Sequence, residues 1–144
     1  MEKSFEQLKY EAAGNTDWHE KQNKVKELKN EDQLQAECFK WANNNYCLKH
    51  HDPQCQIFSV PNGGTRNKIE AMKFITTGLK SGVSDMIALF PNGLCVFFEL
   101  KFGSGKQSVH QIDFESAVKK LGFNYHLIYT FDEFKSVWTM YVTS

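Results

Sequence analysis

No run in this chain of 144 residues approaches the ~18 consecutive apolar residues of a membrane-spanning helix. The charged N-terminus also has no apolar segment of the signal-peptide kind, so a soluble cytoplasmic protein is expected, with no membrane partner. Cysteine is sparse. Cys38, Cys47, Cys55 and Cys95 show no paired framework spacing and read as reduced thiols. Arginine is almost missing, Arg66 being the only one, and the formal net charge is zero, so overall charge gives no argument for a polyanionic partner. Internal repeats and low-complexity tracts are absent. What the chain does have is aromatic mass, led by twelve Phe, and a length that fits one domain with a real core.

The most informative stretch runs from Asp85 to Lys101. Met86–Phe90 and Leu94–Phe98 are rich in branched and aromatic residues and flank Pro91-Asn92-Gly93, which predicts a hairpin with a three-residue loop. That loop pairs Phe90 with Leu94 and sets Asp85 directly opposite Glu99. Opposed residues share a face, with Cβ atoms about 4.5–5.5 Å apart. Lys101 joins them, because side chains alternate along a strand. Two carboxylates and a lysine therefore converge at one end of a buried hairpin. Like charges that close repel, and a shared divalent cation is the usual reason to tolerate them. The plain alternative is a salt bridge at the rim of a sheet. Charge is unevenly spread around this stretch: residues 62–106 carry Arg66, Lys68, Lys73, Lys80, Lys101 and Lys106 against Glu70, Asp85 and Glu99. A positive field around an acidic pocket suits an enzyme acting on phosphate polymers, though an ordinary solvated surface would look the same.

Residues 1–30 read as a charged, partly helical extension outside the core, with a short amphipathic stretch at Phe5–Tyr10. Residues 31–144 read as one α/β domain. A helix opens at Asn30 or Glu31 and runs to about Asn44, with Leu34, Cys38, Trp41 and Ala42 on one stripe. A strand follows at 56–60, then a helix at about 67–77 closed by Gly78, then the hairpin. A helix is expected from Ser108 to Leu121, a strand over 125–129, and a last helix capped by Asp132. The order α-β-α-β-β-α-β-α implies a mixed sheet flanked by helices. Glu31 falls near the buried stripe of the first helix, either looking toward the sheet or only complementing the helix N-terminus. Cys47, His50, His51 and Cys55 crowd four possible zinc ligands into nine residues, whereas structural zinc sites usually draw ligand pairs from separate elements. A polar loop is the simpler reading.

Glu31-Asp-Gln-Leu-Gln35 with Trp41, Val60-Pro-Asn-Gly-Gly64, Gly82-Val-Ser-Asp85, Phe98-Glu-Leu-Lys101 and Gln111 occur in this order over about residues 31–130. In these blocks the chain resembles the VRR-NUC family of the PD-(D/E)xK nuclease superfamily, in its stand-alone bacterial and phage form. The resemblance implies the restriction-endonuclease-like fold and a metal-dependent DNA endonuclease. It makes Asp85 and Glu99 ligands of Mg²⁺ or Mn²⁺, helped by the Leu100 carbonyl. Lys101 becomes the catalytic lysine, Glu31 the helix carboxylate and Gln111 the glutamine beside the site. Ser84 stands where the family usually has proline, and residues 1–30 have no counterpart in the family core. The resemblance also implies branched DNA such as Holliday junctions as substrate, a homodimer, and a role in repair, recombination or phage replication.

Gln111 follows Ser108 by three, a capping-box spacing, and one amide rotamer is not expected to serve both the cap and the site. Asn62, Gly63, Arg66 and Lys106 are the expected nucleic-acid contacts, Arg66 offering a bidentate fork to phosphate. A non-catalytic nucleic-acid-binding module on the same fold, or a small zinc-assisted interaction domain, would be the alternatives to a nuclease.

Overall fold

The computed structural model describes residues 11–14, 27–61 and 67–143. The first helix, α1, spans Glu31–Ala42. Asn30 caps it by accepting from Gln33 N at 2.9 Å, and the Gln33 side chain returns the bond to Lys29 N. Glu31 and Asp32 occupy the first turn and Lys40 the last, both favourable to the helix dipole. The expected end near Asn44 is displaced: the α-helix stops at Ala42 and widens into a π-helical turn over Asn43–Cys47. Strand β1 spans Gln56–Ser59, α2 Lys68–Thr76, β2 Met86–Phe90 and β3 Leu94–Leu100. Helix α3 (Val109–Lys120), β4 (Asn124–Ile128) and α4 (Phe131–Val142) complete the order expected from the sequence.

The four strands form one mixed sheet in the order β1-β2-β3-β4. The first two pairings are antiparallel and β3–β4 is parallel, its crossover made by α3. Along β3 the side chains alternate between two environments. Val96, Phe98 and Leu100 belong to the main core with Leu34, Cys38 and Ala42 of α1 and Phe134 and Trp138 of α4. Phe97 faces the other way, against Phe114 of α3 at 5.6 Å and Phe123 at 5.8 Å between ring centroids. Glu99 and Lys101 lie on this second side, where strand alternation puts them.

Two expectations need correction here. Asp132 does not cap α4; Thr130 does, accepting from Glu133 N at 3.1 Å while Glu133 accepts from Tyr129 N. A Thr-x-x-Glu pair satisfies two orphan amides, which a lone Asp two residues inside cannot do. Leu28 falls in the segment expected to lie outside the core, yet it packs against the core cluster. The stretch Phe5–Tyr10 lies outside the described residues. Among the described residues no helix is long and apolar enough to cross a membrane.

Candidate active site

The hairpin turn fixes the site. Pro91–Gly93 form one 3₁₀ turn in which Asn92 (φ 64°) and Gly93 (φ 74°) take left-handed conformations, which asparagine and glycine accept most readily. Phe90 pairs with Leu94 and the ladder runs to Met86 opposite Phe98, the expected register. Asp85 comes next in that register, immediately before β2. Its backbone carbonyl accepts from Val60 N at 2.8 Å, and its Oδ2 accepts from Leu100 N at 2.7 Å. The Asp85 side chain thus bridges to the end of β3, a contact that alternation of side chains alone does not reveal.

Gly82 holds the segment before Asp85 close to α3. A Cβ there would lie 2.2 Å from the His110 carbonyl oxygen, and the backbone has φ +79°. Ser84 is buried with its hydroxyl donating to Met86 O at 3.2 Å. It meets its hydrogen-bonding need locally and leaves Asp85 in position.

Glu99 is fully buried. Its Oε1 accepts from Lys101 Nζ at 2.7 Å and from Gln111 Nε2 at 2.5 Å. Its Oε2 is buried with no hydrogen-bond partner among the described residues. Lys101 is 7% exposed and also lies 3.8 Å from Glu31 Oε1, so Glu31 turns from the first turn of α1 toward the sheet. Gln111 serves both of its candidate roles at once. Its Oε1 accepts from Ser108 N at 2.8 Å while its Nε2 reaches Glu99. The expectation that one rotamer could not do both fails because the two ends of the amide point to different partners.

Burial pushes the Glu99 carboxyl up to about 7; the Asp85 charge adds to this, and the Lys101 hydrogen bond only partly opposes it. Burial also raises Asp85, against the pull of the Leu100 amide, of Lys101 and of the Glu99 carboxyl, which lies close enough to share a proton with it when one of the pair is protonated. Glu31 is raised by burial, with Lys101 opposing and Asp85 and Asp32 adding. Burial works to lower the lysine, but Glu99, Glu31 and Asp85 together outweigh it and hold Lys101 above its ordinary value. Lys101 is therefore a cation facing three carboxyl groups.

A divalent cation fits this donor set. An unpartnered buried carboxylate oxygen is costly, and hard oxygen donors at a negatively charged site are what Mg²⁺ and Mn²⁺ take. Among the described residues no group of three or more His, Cys, Asp and Glu is arranged to hold a metal ion. The same observation leaves Cys47, His50, His51 and Cys55 without a common centre. His51 Nδ1 instead accepts from Leu48 N at 3.0 Å, and all four cysteines are free thiols. Lys106 is exposed in the loop between Lys101 and α3. Asn62, Gly63 and Arg66 lie outside the described residues. Sequence reasoning singled out the Gly82–Asp85 block but not the reason for its glycine, which is the close approach of α3.

No family model matches the sequence, and no curated protein matches it. Solved structures do. One described as "VRR_NUC domain protein" superposes with a TM-score of 0.63 at 22% identity, over 81% of this chain and 91% of that one. Another, "VRR_NUC domain", gives a TM-score of 0.52 at 18% identity, over 77% of this chain and 96% of that one. The mixed four-stranded sheet with its flanking helices is the VRR-NUC fold.

Proposed function

We propose that this chain is a divalent-metal-dependent nuclease that hydrolyses DNA phosphodiester bonds, with Asp85 and Glu99 as the metal ligands. The observation that carries the reading is Glu99: a buried carboxyl with one oxygen held by Lys101 and Gln111 and the other without a partner, beside Asp85. The Leu100 carbonyl, at the strand end between Glu99 and Lys101, is the third candidate ligand. When bound, Mg²⁺ or Mn²⁺ would supply a Lewis acid for the phosphoryl oxygens and acidify water.

The protein's own groups supply the rest. Lys101 Nζ, held protonated by its acidic neighbours, donates hydrogen bonds to the attacking water or to the charge that develops on the phosphorane. Gln111 fixes the Glu99 rotamer and anchors it to the first turn of α3, so the carboxyl does not rotate as substrate arrives. Glu31, with its side chain 43% exposed, stands at the mouth of the site, where it steadies Lys101 and can orient water. Arg66, with Asn62 and Gly63, and Lys106 would contact the phosphate backbone.

Selectivity for branched DNA, including Holliday junctions, and assembly as a homodimer extend this reading on the strength of the sequence resemblance. The direct test is a cleavage panel of single-stranded, duplex, flap and four-way-junction DNA with Mg²⁺, Mn²⁺ or EDTA, run beside sedimentation analysis. Metal-dependent cutting, strongest on branched substrates, is expected. DNA binding without cutting under every condition would replace the enzyme with a binding module on the same fold.

A further inference from the structure

A groove of about 360 Å³ runs beside the acidic site, between α1 and the β1 edge of the sheet. It is lined by Asp32, Gln35, Ala36, Phe39, Ser59 and Met86. On α1 the first four fall at i, i+3, i+4 and i+7, one stripe adjoining the buried stripe of Leu34, Cys38 and Ala42. Met86 is fully buried and pairs with Ser59 across the first two strands, so the two supply the sheet side of the groove. Phe39 is 40% exposed. The size is that of clefts which hold small molecules.

The groove opens on the α1 side of the sheet, near the strand end that carries the acidic site. Asp32 follows Glu31 and Met86 follows Asp85, and the Asp32 charge is felt by both Glu31 and Asp85. Among the described residues its lining contains a carboxylate and no basic side chain, which disfavours a phosphate. It does contain an accessible aromatic ring, an amide and a hydroxyl, the set that holds a base by stacking and by its polar edge.

We infer that this groove receives one unpaired nucleobase of the substrate strand, stacked on Phe39 and read by Asp32 and Gln35, beside the phosphate presented to Asp85 and Glu99. The inference rests on the nuclease reading and names the substrate that reading leaves open: a strand single or frayed at the point of cutting. Guanine is the favoured base. Its N1–H and N2–H donors lie side by side and match the two oxygens of a carboxylate, whereas adenine and cytosine set one amino donor beside an acceptor. A fully paired duplex must surrender a base pair to fill the groove, so it is a poorer substrate than a branch point or a loose end.

The test uses the full chain and single-stranded thymidine oligonucleotides carrying one central guanine, adenine or abasic site. In EDTA, fluorescence anisotropy should show guanine bound most tightly. Phe39→Ala should weaken the guanine oligonucleotide by about 5- to 100-fold and leave the abasic one unchanged. Asp32→Asn should remove the preference for guanine over adenine. In Mn²⁺, wild-type cutting should concentrate at one phosphate near the guanine and spread evenly in Phe39→Ala. Equal weakening of the guanine and abasic oligonucleotides by Phe39→Ala, or no weakening of either, would overturn the inference. Should the wild-type protein fail to cut in Mn²⁺, the nuclease reading falls, and the binding measurements in EDTA still decide the groove.

Discussion

Replacing Glu99 with Gln should make the metal-free protein more stable at alkaline pH while abolishing metal binding. Glu99 is fully buried, and its carboxyl is pushed from 4.5 up to about 7 in the folded state. The folded protein therefore holds this proton more tightly than the unfolded chain does. Stability from that proton is fully present below about pH 4.5 and is lost as pH rises through about 7. The interval corresponds to on the order of 3 kcal/mol. A glutamine imitates the protonated acid: its oxygen can accept from Lys101 and Gln111, and its amide NH₂ takes the place of the unpartnered oxygen. The variant should match wild type at pH 4 and exceed it at pH 8 by up to ~3 kcal/mol, or roughly 10 °C in Tm at this size. Urea and thermal denaturation in EDTA at both pH values measure this directly. Adding Mn²⁺ at pH 8 should raise the Tm of wild type only, since ligand binding to the folded state alone stabilises it. A variant destabilised more at pH 8 than at pH 4 would refute the claim that the Glu99 charge strains the protein in EDTA.

Asp85→Asn keeps an oxygen for the Leu100 amide, so it should fold normally and lose divalent-ion binding; calorimetry giving wild-type Mn²⁺ affinity would remove Asp85 as a ligand. Lys101→Ala should slow cleavage by at least ~10²-fold and weaken DNA binding far less, and a near wild-type rate would take Lys101 out of the mechanism. Gly82→Ala forces a Cβ onto the His110 carbonyl at a left-handed position and should cost on the order of 3 kcal/mol by urea denaturation; an unchanged midpoint would contradict the close approach. One residue inserted after Asn92 should slip or bulge the β2–β3 pairing and give a folded protein that neither cuts nor binds metal, whereas full activity would show that the turn does not set the register.

The hairpin was legible because its information is local. A Pro-Asn-Gly turn sets the register, the register sets the spacing of Asp85 and Glu99, and alternation adds Lys101 without any knowledge of the remaining fold. Element order was legible for the same reason, from periodic apolar stripes interrupted by Gly and Asn. Capping was read less well where two signals competed, as when Thr130 with Glu133 outranked Asp132. The end of α1 was missed because the wide turn after Ala42 leaves no periodicity to read.

The rest depends on distances between elements, and there the sequence gives types without geometry. Gln111 shows the difference most clearly. Its spacing from Ser108 announced a cap and the family resemblance suggested the site, and the two looked exclusive because an amide has one rotamer at a time. The fold removes the conflict by bringing the end of β3 against the first turn of α3, so the oxygen faces Ser108 and the nitrogen faces Glu99. A capping residue thereby becomes the support of a buried carboxyl. Gly82 permits the approach by leaving the space a Cβ would fill against His110, next to Gln111. The local rules thus held at the hairpin turn and at the Ser108 cap, and what joined them into a site was the packing of one backbone segment against one helix end.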